Sequence, residues 1–254
     1  MNRHAFLAEL HRRLAPRAYL EIGIRNGGSL AQARCRSVGI DPAFAITAEL
    51  DADVALFRTT SDEYFARPDP LAPTGGTAFD LAFIDGMHLF EFALRDFVHA
   101  ERYSSTRGLI VFDDILPRSV EEATRLGRRG PWTGDVYGMI EALAQYRPDL
   151  VVLPVDTQPT GLLLVAALDP ADTTLADRFG EILDRFRRPD PQPVPSALLD
   201  RLAAVPPRRV LESDLLDVLA GAARPDMEAD LRERIADAVQ RTLGAAFAPT
   251  GVSG

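Results

Sequence analysis

Residues 150–168 read LVVLPVDTQPTGLLLVAAL. Two apolar runs, Leu150 to Val155 and Gly161 to Leu168, are separated only by Asp156-Thr157-Gln158-Pro159-Thr160. A parallel crossover needs a dozen or more residues, so these two runs must pair antiparallel as a hairpin. Upstream the rhythm is different. Ala18 to Gly23, Val38 to Asp41, Val54 to Arg58, Phe79 to Ile84 and Gly108 to Phe112 are short, nearly all-apolar strands. Helix-compatible segments lie between them at Ser29–Arg34, Ser61–Phe65 with Ser61 as cap, and Leu89–Tyr103. Strands that alternate with helices, and are apolar on both faces, predict a parallel sheet covered on both sides.

The remaining segments fill out the plan. Phe6, Leu7, Leu10 and Leu14 fall at helical spacing and predict a helix over 2–14, ended by Pro16. Arg67 to Thr77, with three prolines and two glycines, is a loop, and Asp135 to Tyr146 can form a helix. Beyond Leu168 the chain is helical and punctuated by proline, with amphipathic stretches at Leu215–Leu219 and Ile235–Leu243. The expected architecture is α/β: a doubly wound, mainly parallel seven-stranded sheet that ends in an antiparallel hairpin. It divides into a domain over 1–170 and a helical C-terminal extension over 171–254.

Composition narrows the function. The chain of 254 residues carries a net charge of −9, which argues against a nucleic-acid backbone as partner. A single cysteine, Cys35, rules out an intramolecular disulfide and a cysteine-rich zinc site, and reads as a small buried filler. No apolar run is long enough to span a bilayer and no signal-peptide core is visible, so the expectation is a cytoplasmic protein without a membrane partner. All 28 basic residues are Arg, so any general base must be something other than Lys.

Two clusters carry chemistry. The first is Leu20 to Leu30, where the first strand meets the first helix, the edge at which doubly wound sheets bind ligands. Gly23 lets the chain turn, Gly27 and Gly28 admit a ligand close to the backbone, and Asp41 ends the second strand where a carboxylate can grip a ribose diol. The second is Phe83-Ile84-Asp85-Gly86-Met87-His88 with Ile110-Val111-Phe112-Asp113-Asp114. Each acid follows an apolar strand, so three carboxylates are expected to converge. Such a cluster is costly without a cation, and oxygen ligands favour Mg²⁺ or Mn²⁺. His88 follows Asp85 by three residues and can accept a proton near neutral pH. His4 and His11 read as solvated, and His99 as a surface or packing residue. The loop Arg128 to Tyr137 lies beside the acids by chain order, and Trp132, Asp135 and Tyr137 are its substrate-facing candidates.

The pattern Glu21-x-Gly23-x-x-x-Gly27-x-Ser29 resembles the first motif of the catechol-type, metal-dependent class I O-methyltransferases. Those enzymes carry Lys three residues after the metal-binding Asp. His88 stands there instead, and with the paired acids it is similar to the macrocin-type sugar O-methyltransferases. The likeness covers about residues 18 to 168. It implies S-adenosylmethionine as cofactor, with Glu21, Gly23, Asn26, Gly27 and Ser29 at its methionine end. Asp41 would lie on the ribose and Ser61-Asp62 near the adenine, with Asp85 bordering the cofactor. It implies a metal on Asp85, Asp113 and Asp114, His88 as base, and a small-molecule hydroxyl as acceptor, on a sugar or glycosylated natural product. A catechol or other phenol is the alternative acceptor. A nicotinamide oxidoreductase and a metal hydrolase are the alternatives of other classes. The first helix and the C-terminal extension would suit contacts in a homo-oligomer.

Overall fold

A computed structural model describes residues 1–127, 130–222 and 230–250. Its sheet contains β1 (Ala18–Ile22), β2 (Arg36–Ile40), β3 (Val54–Phe57), β4 (Phe79–Ile84), β5 (Ser104–Phe112), β6 (Val151–Val155) and β7 (Leu162–Ala166). The spatial order is β3-β2-β1-β4-β5-β7-β6. β3 through β5 run parallel, whereas β7 inserts antiparallel between β5 and β6. This is the class I methyltransferase fold. β5 begins at Ser104 rather than Gly108 because Ser105 and Arg107 both donate to the buried carboxylate of Asp80, which lets a polar run join the sheet.

α1 (Arg3–Leu14) is capped by Asn2, whose Oδ1 accepts from the Ala5 amide. α2 (Ser61–Phe65) is capped by Thr60, not Ser61, in a capping box with Glu63. α3 (Phe90–Arg102) and α4 (Gly138–Tyr146) follow, α4 starting three residues later than the sequence suggests. The segment past β7 forms α5 (Thr174–Asp177), α6 (Phe179–Phe186), α7 (Ser196–Leu199), α8 (Pro207–Leu211), α9 (Asp214–Gly221) and α10 (Leu231–Thr242).

The two faces of the sheet are covered by different helices, as alternation of side chains along a strand requires. Ala82 and Ile84 pack with Phe90, Phe97, Leu143 and Phe186 of α3, α4 and α6. Leu81 and Phe83 pack with Phe6 and Leu10 of α1 and with Leu216 and Ile235 of α9 and α10. The C-terminal helices therefore complete the layer that α1 begins. His11 lies in that layer and is buried, contrary to the solvated position expected for it.

Main-chain bonds align the strand ends that form the site. The Gly23 amide donates to the Ile40 carbonyl (2.8 Å), Asp85 to Ile22 (2.8 Å) and Asp113 to Ile84 (3.0 Å). Each residue leaves its strand in register with the neighbouring strand, so all three emerge at one edge.

Candidate active site

A cleft of about 700 Å³ opens at that edge. Gly23 and Asp41 line it from β1 and β2, Ser61 and Asp62 from α2, and Asp85, His88, Asp114 and Trp132 from beyond β4 and β5. Asp41 is held by two amides, Oδ2 accepting from Arg25 (2.8 Å) and Oδ1 from Ala43 (2.6 Å). That grip orients a half-buried carboxylate toward the cleft without neutralising it.

The acid cluster differs from the expected trio. Asp85, His88 and Asp114 each offer a ligand atom, all within 4.8 Å of one another. Asp113 lies outside that group. Its buried carboxylate forms an ion pair with the Arg3 guanidinium, which also stands 3.8 Å from Asp85. Arg3 reaches this position because its amide donates to the Gln158 carbonyl in the β6–β7 connection (3.2 Å), which ties the start of α1 to the sheet edge. A guanidinium thus supplies the positive charge that Asp113 was expected to find in a metal. Asp114 has φ +59°, a left-handed conformation that bulky residues adopt at a cost, and its Oδ1 accepts from Thr160 Oγ1.

His88 is held from both sides. Nδ1 lies 2.9 Å from the Trp132 carbonyl, which can only accept, so Nδ1 carries a proton. Nε2 then faces Asp85 Oδ1 at 3.2 Å, and Asp114 Oδ2 stands 3.2 Å from Nδ1. Burial opposes charge on the ring, but the Asp85 hydrogen bond and the carboxylates of Asp114 and Asp85 outweigh it and raise the pKa to about 9. Burial likewise pushes the Asp114 carboxyl up, against the opposing charge of His88. The Trp132 ring stacks on His88 with centroids 5.2 Å apart.

Several expected site residues are not part of the cleft lining and make contacts within the scaffold. Glu21 is buried within β1, accepts from the Tyr19 hydroxyl (2.7 Å), and its carboxyl is pushed up to about 8 by burial. The Asn26 carbonyl accepts from Thr47 and Ala48, Gly27 packs against Ile46, and Ser29 precedes a 3₁₀ turn over Leu30–Gln32. Asp135 is buried, accepts from the Phe90 amide (2.7 Å) and pairs with Arg125. The Tyr137 hydroxyl donates to Gln192 (3.2 Å) in a separate cavity of about 260 Å³. Arg128 and Arg129 lie outside the described residues. Conversely, Arg3, Thr59, Phe92 and Asp96 line the cleft without having been singled out. Arg3 gave no sequence signal, but a lone Asp on the apolar face of the helix from Phe90 to Phe97 did.

A family model described as a methyltransferase domain matches residues 5–115, from within α1 to just past Asp114. Among solved structures the chain is similar to a Klebsiella pneumoniae protein described as an O-methyltransferase, with TM-score 0.50 and 21% identity, over 65% of this chain and 80% of that one. It is also similar to the O-methyltransferase TomG of Streptomyces achromogenes, involved in tomaymycin synthesis and solved with S-adenosylmethionine (TM-score 0.44, 20% identity, 65% and 79% covered). A Bacillus cereus O-methyltransferase solved with S-adenosylhomocysteine gives TM-score 0.43 and 18% identity over 64% and 79%. No curated protein matches the chain. Among the described residues no helix is long and apolar enough to cross a membrane.

Proposed function

We propose that the chain is an S-adenosylmethionine-dependent O-methyltransferase acting on a hydroxyl of a small molecule, a sugar or glycosylated compound. The observation that carries this reading is the presence of Asp41, Gly23 and the Asp85–His88–Asp114 group in one cleft at the carboxyl edge of a class I methyltransferase sheet. Asp41 suits the ribose diol and Gly23 leaves room for the methionine end of the cofactor. The acceptor then lies between His88 and the cofactor, with Trp132 as a flat apolar wall against which a sugar ring can stack.

The donor set fits a divalent cation. Two carboxylates and an imidazole converge, and the Thr160 hydrogen bond orients Asp114 as ligand-supporting groups do. Asp85 and Asp114 would hold Mg²⁺ or Mn²⁺, the ions that carboxylate oxygens suit. When bound, such an ion lowers the pKa of a nearby hydroxyl and fixes its position.

His88 is the proton acceptor. The Trp132 carbonyl keeps the proton on Nδ1, which leaves Nε2 to receive one from the acceptor hydroxyl. Its raised pKa belongs to a ring facing the Asp85 and Asp114 carboxylates with no cation between them. A cation held by Asp85 and Asp114 would offset their charge and lower that pKa, toward the neutral ring that can accept a proton. Arg3 contributes by holding Asp113 out of the donor set. A second reading, His88 as third metal ligand, is favoured by its donor atom lying within 4.8 Å of both carboxylates.

Calorimetry and turnover separate these roles. His88→Gln is expected to bind Mn²⁺ within about threefold of wild type while kcat falls about 10²–10⁴-fold. Loss of ion affinity together with rate assigns His88 as a ligand. Undiminished turnover in EDTA removes the metal from the reaction. Turnover of catechols but not glycosides replaces the sugar acceptor with a phenolic one.

A further inference from the structure

Resting on the S-adenosylmethionine reading, we infer that Asp96 is the group that selects the cofactor's base, by accepting a hydrogen bond from the exocyclic amine of adenine. Asp62 is ill suited to that task. Its carboxylate is taken by Arg95 (2.5 Å) and approached by His99 (3.5 Å). Asp96 lies in the same corner of the cleft and is only 4% exposed. Among the described residues its one hydrogen-bond donor is Ser61, whose hydroxyl reaches Oδ1 at 2.5 Å. Oδ2 lies beside Gly86, at a point 3.3 Å from where a Cβ on that residue would stand. A carboxyl so deeply buried, with a single donor, has acceptor capacity to spare, and buried polar groups are rarely left that way.

The surroundings fit a purine. Phe92 precedes Asp96 by one helical turn on α3, and both line the cleft, so an aromatic face and an acceptor are presented together. Ile40 lines the cleft as well and supplies a further apolar surface. The corner also lies where the base should. α2 follows β3 and packs on α3, on the side of the sheet order away from Asp114 after β5, and next to the Asp41 position for the ribose. With the Ser61 hydroxyl already donating to Asp96, the Ser61–Asp96 side-chain pair presents acceptor lone pairs to the base. It therefore favours a 6-amino purine over a 6-oxo one. Burial pushes the Asp96 carboxyl up to about 7, so the ionised acceptor form is available under slightly alkaline conditions.

The test compares S-adenosylhomocysteine with S-inosylhomocysteine, the same molecule bearing a carbonyl in place of the amine, by calorimetry on the full chain. Wild type is expected to prefer the adenosyl ligand about tenfold or more, as for a hydrogen bond to a charged acceptor. Asp96→Asn, nearly isosteric and able to donate to a carbonyl, is expected to bring the two affinities within about threefold. Asp62→Asn is expected to keep the wild-type preference. Equal affinity of wild type for both ligands overturns the proposal without any variant. An unchanged preference in Asp96→Asn, or its transfer to Asp62→Asn, overturns the Asp96 assignment alone. A wild-type chain that binds neither ligand overturns the methyltransferase reading, and the Asp96 assignment with it.

Discussion

Single residues decide how closely the parts of the cleft approach. Gly23, at φ +89°, brings the end of β1 so near β4 that an added Cβ would stand 1.9 Å from the Asp85 carbonyl oxygen. Gly134 does the same for the Trp132 loop, where a Cβ would meet the His88 carbonyl oxygen at 1.5 Å. Gly23 was legible as a turn in the sequence, whereas its contact partner was not, because that partner is set by strand order. His11 shows the opposite outcome. It reads as a solvated residue of an amphipathic helix, yet its ring sits edge-on to Tyr19 with centroids 4.6 Å apart, and among the described residues neither ring nitrogen has a hydrogen-bond partner. Burial, aided by the charge of Arg34, pushes its pKa down to about 4. Between about 4 and the ordinary 6.5 the unfolded chain takes up a proton that the folded chain refuses. The His11 contribution is thus whole above 6.5 and is lost as pH falls toward 4, by roughly 3 kcal/mol at most. In urea titrations, the stability of wild type relative to His11→Phe is expected to decline over that acid window. A constant difference from pH 7 to pH 4 would refute the burial argument.

At the scale of elements, the segment between β5 and α4 works as a unit tied to the start of α3. Arg125 pairs with Glu91 (2.6 Å) and with Asp135, while the Trp132 indole donates to the Thr124 carbonyl (2.6 Å). The amides of Thr133 and Gly134 both donate to the Glu122 carbonyl. These bonds carry Trp132 onto His88 and turn Asp135 inward. Chain order and Gly/Pro content placed this segment beside the acids, but could not say which of Trp132, Asp135 and Tyr137 faces the cleft. That choice depends on Glu91, far upstream in sequence, and on Gln192, far downstream. The strands were easier to read, since burial on both faces leaves an unbroken apolar run. The exceptions are the starts of β2, where Arg36 and Ser37 join the sheet, and of β5, where polar residues join it through Asp80. Arg125→Met leaves the buried Asp135 and the half-buried Glu91 without their cation and is expected to cost about 3 kcal/mol. If the segment positions acceptor rather than cofactor, the acceptor KM should rise about tenfold while S-adenosylhomocysteine binds within about twofold of wild type. Parallel loss of cofactor affinity would show that the ties serve the whole cleft.

For the whole molecule, the chemistry and the packing are distributed differently along the chain. The proposed cofactor and metal residues lie between Gly23 and Asp114, within the part matched as a methyltransferase domain. The sheet face carrying Leu81, Phe83, Val111 and Leu164 is nevertheless covered by α1 together with α9 and α10. A helix of 12 residues is about 18 Å long and cannot shield that face alone. Leu215, Leu216, Leu219, Ile235 and Val239 are all at most 1% exposed, so the C-terminal helices form core rather than ornament. We therefore expect residues 1–170 alone to fail as a folding unit although they hold every proposed catalytic group. A full chain bearing Ile235→Ala should remain folded but lose about 2–4 kcal/mol, the usual range for emptying a buried aliphatic site. The fragment should bind a hydrophobic dye and melt without a cooperative transition. A 1–170 fragment that unfolds cooperatively, with a Tm raised by S-adenosylhomocysteine, would show instead that α1 and the sheet suffice, and that the helices beyond β7 can be exchanged without cost to the site.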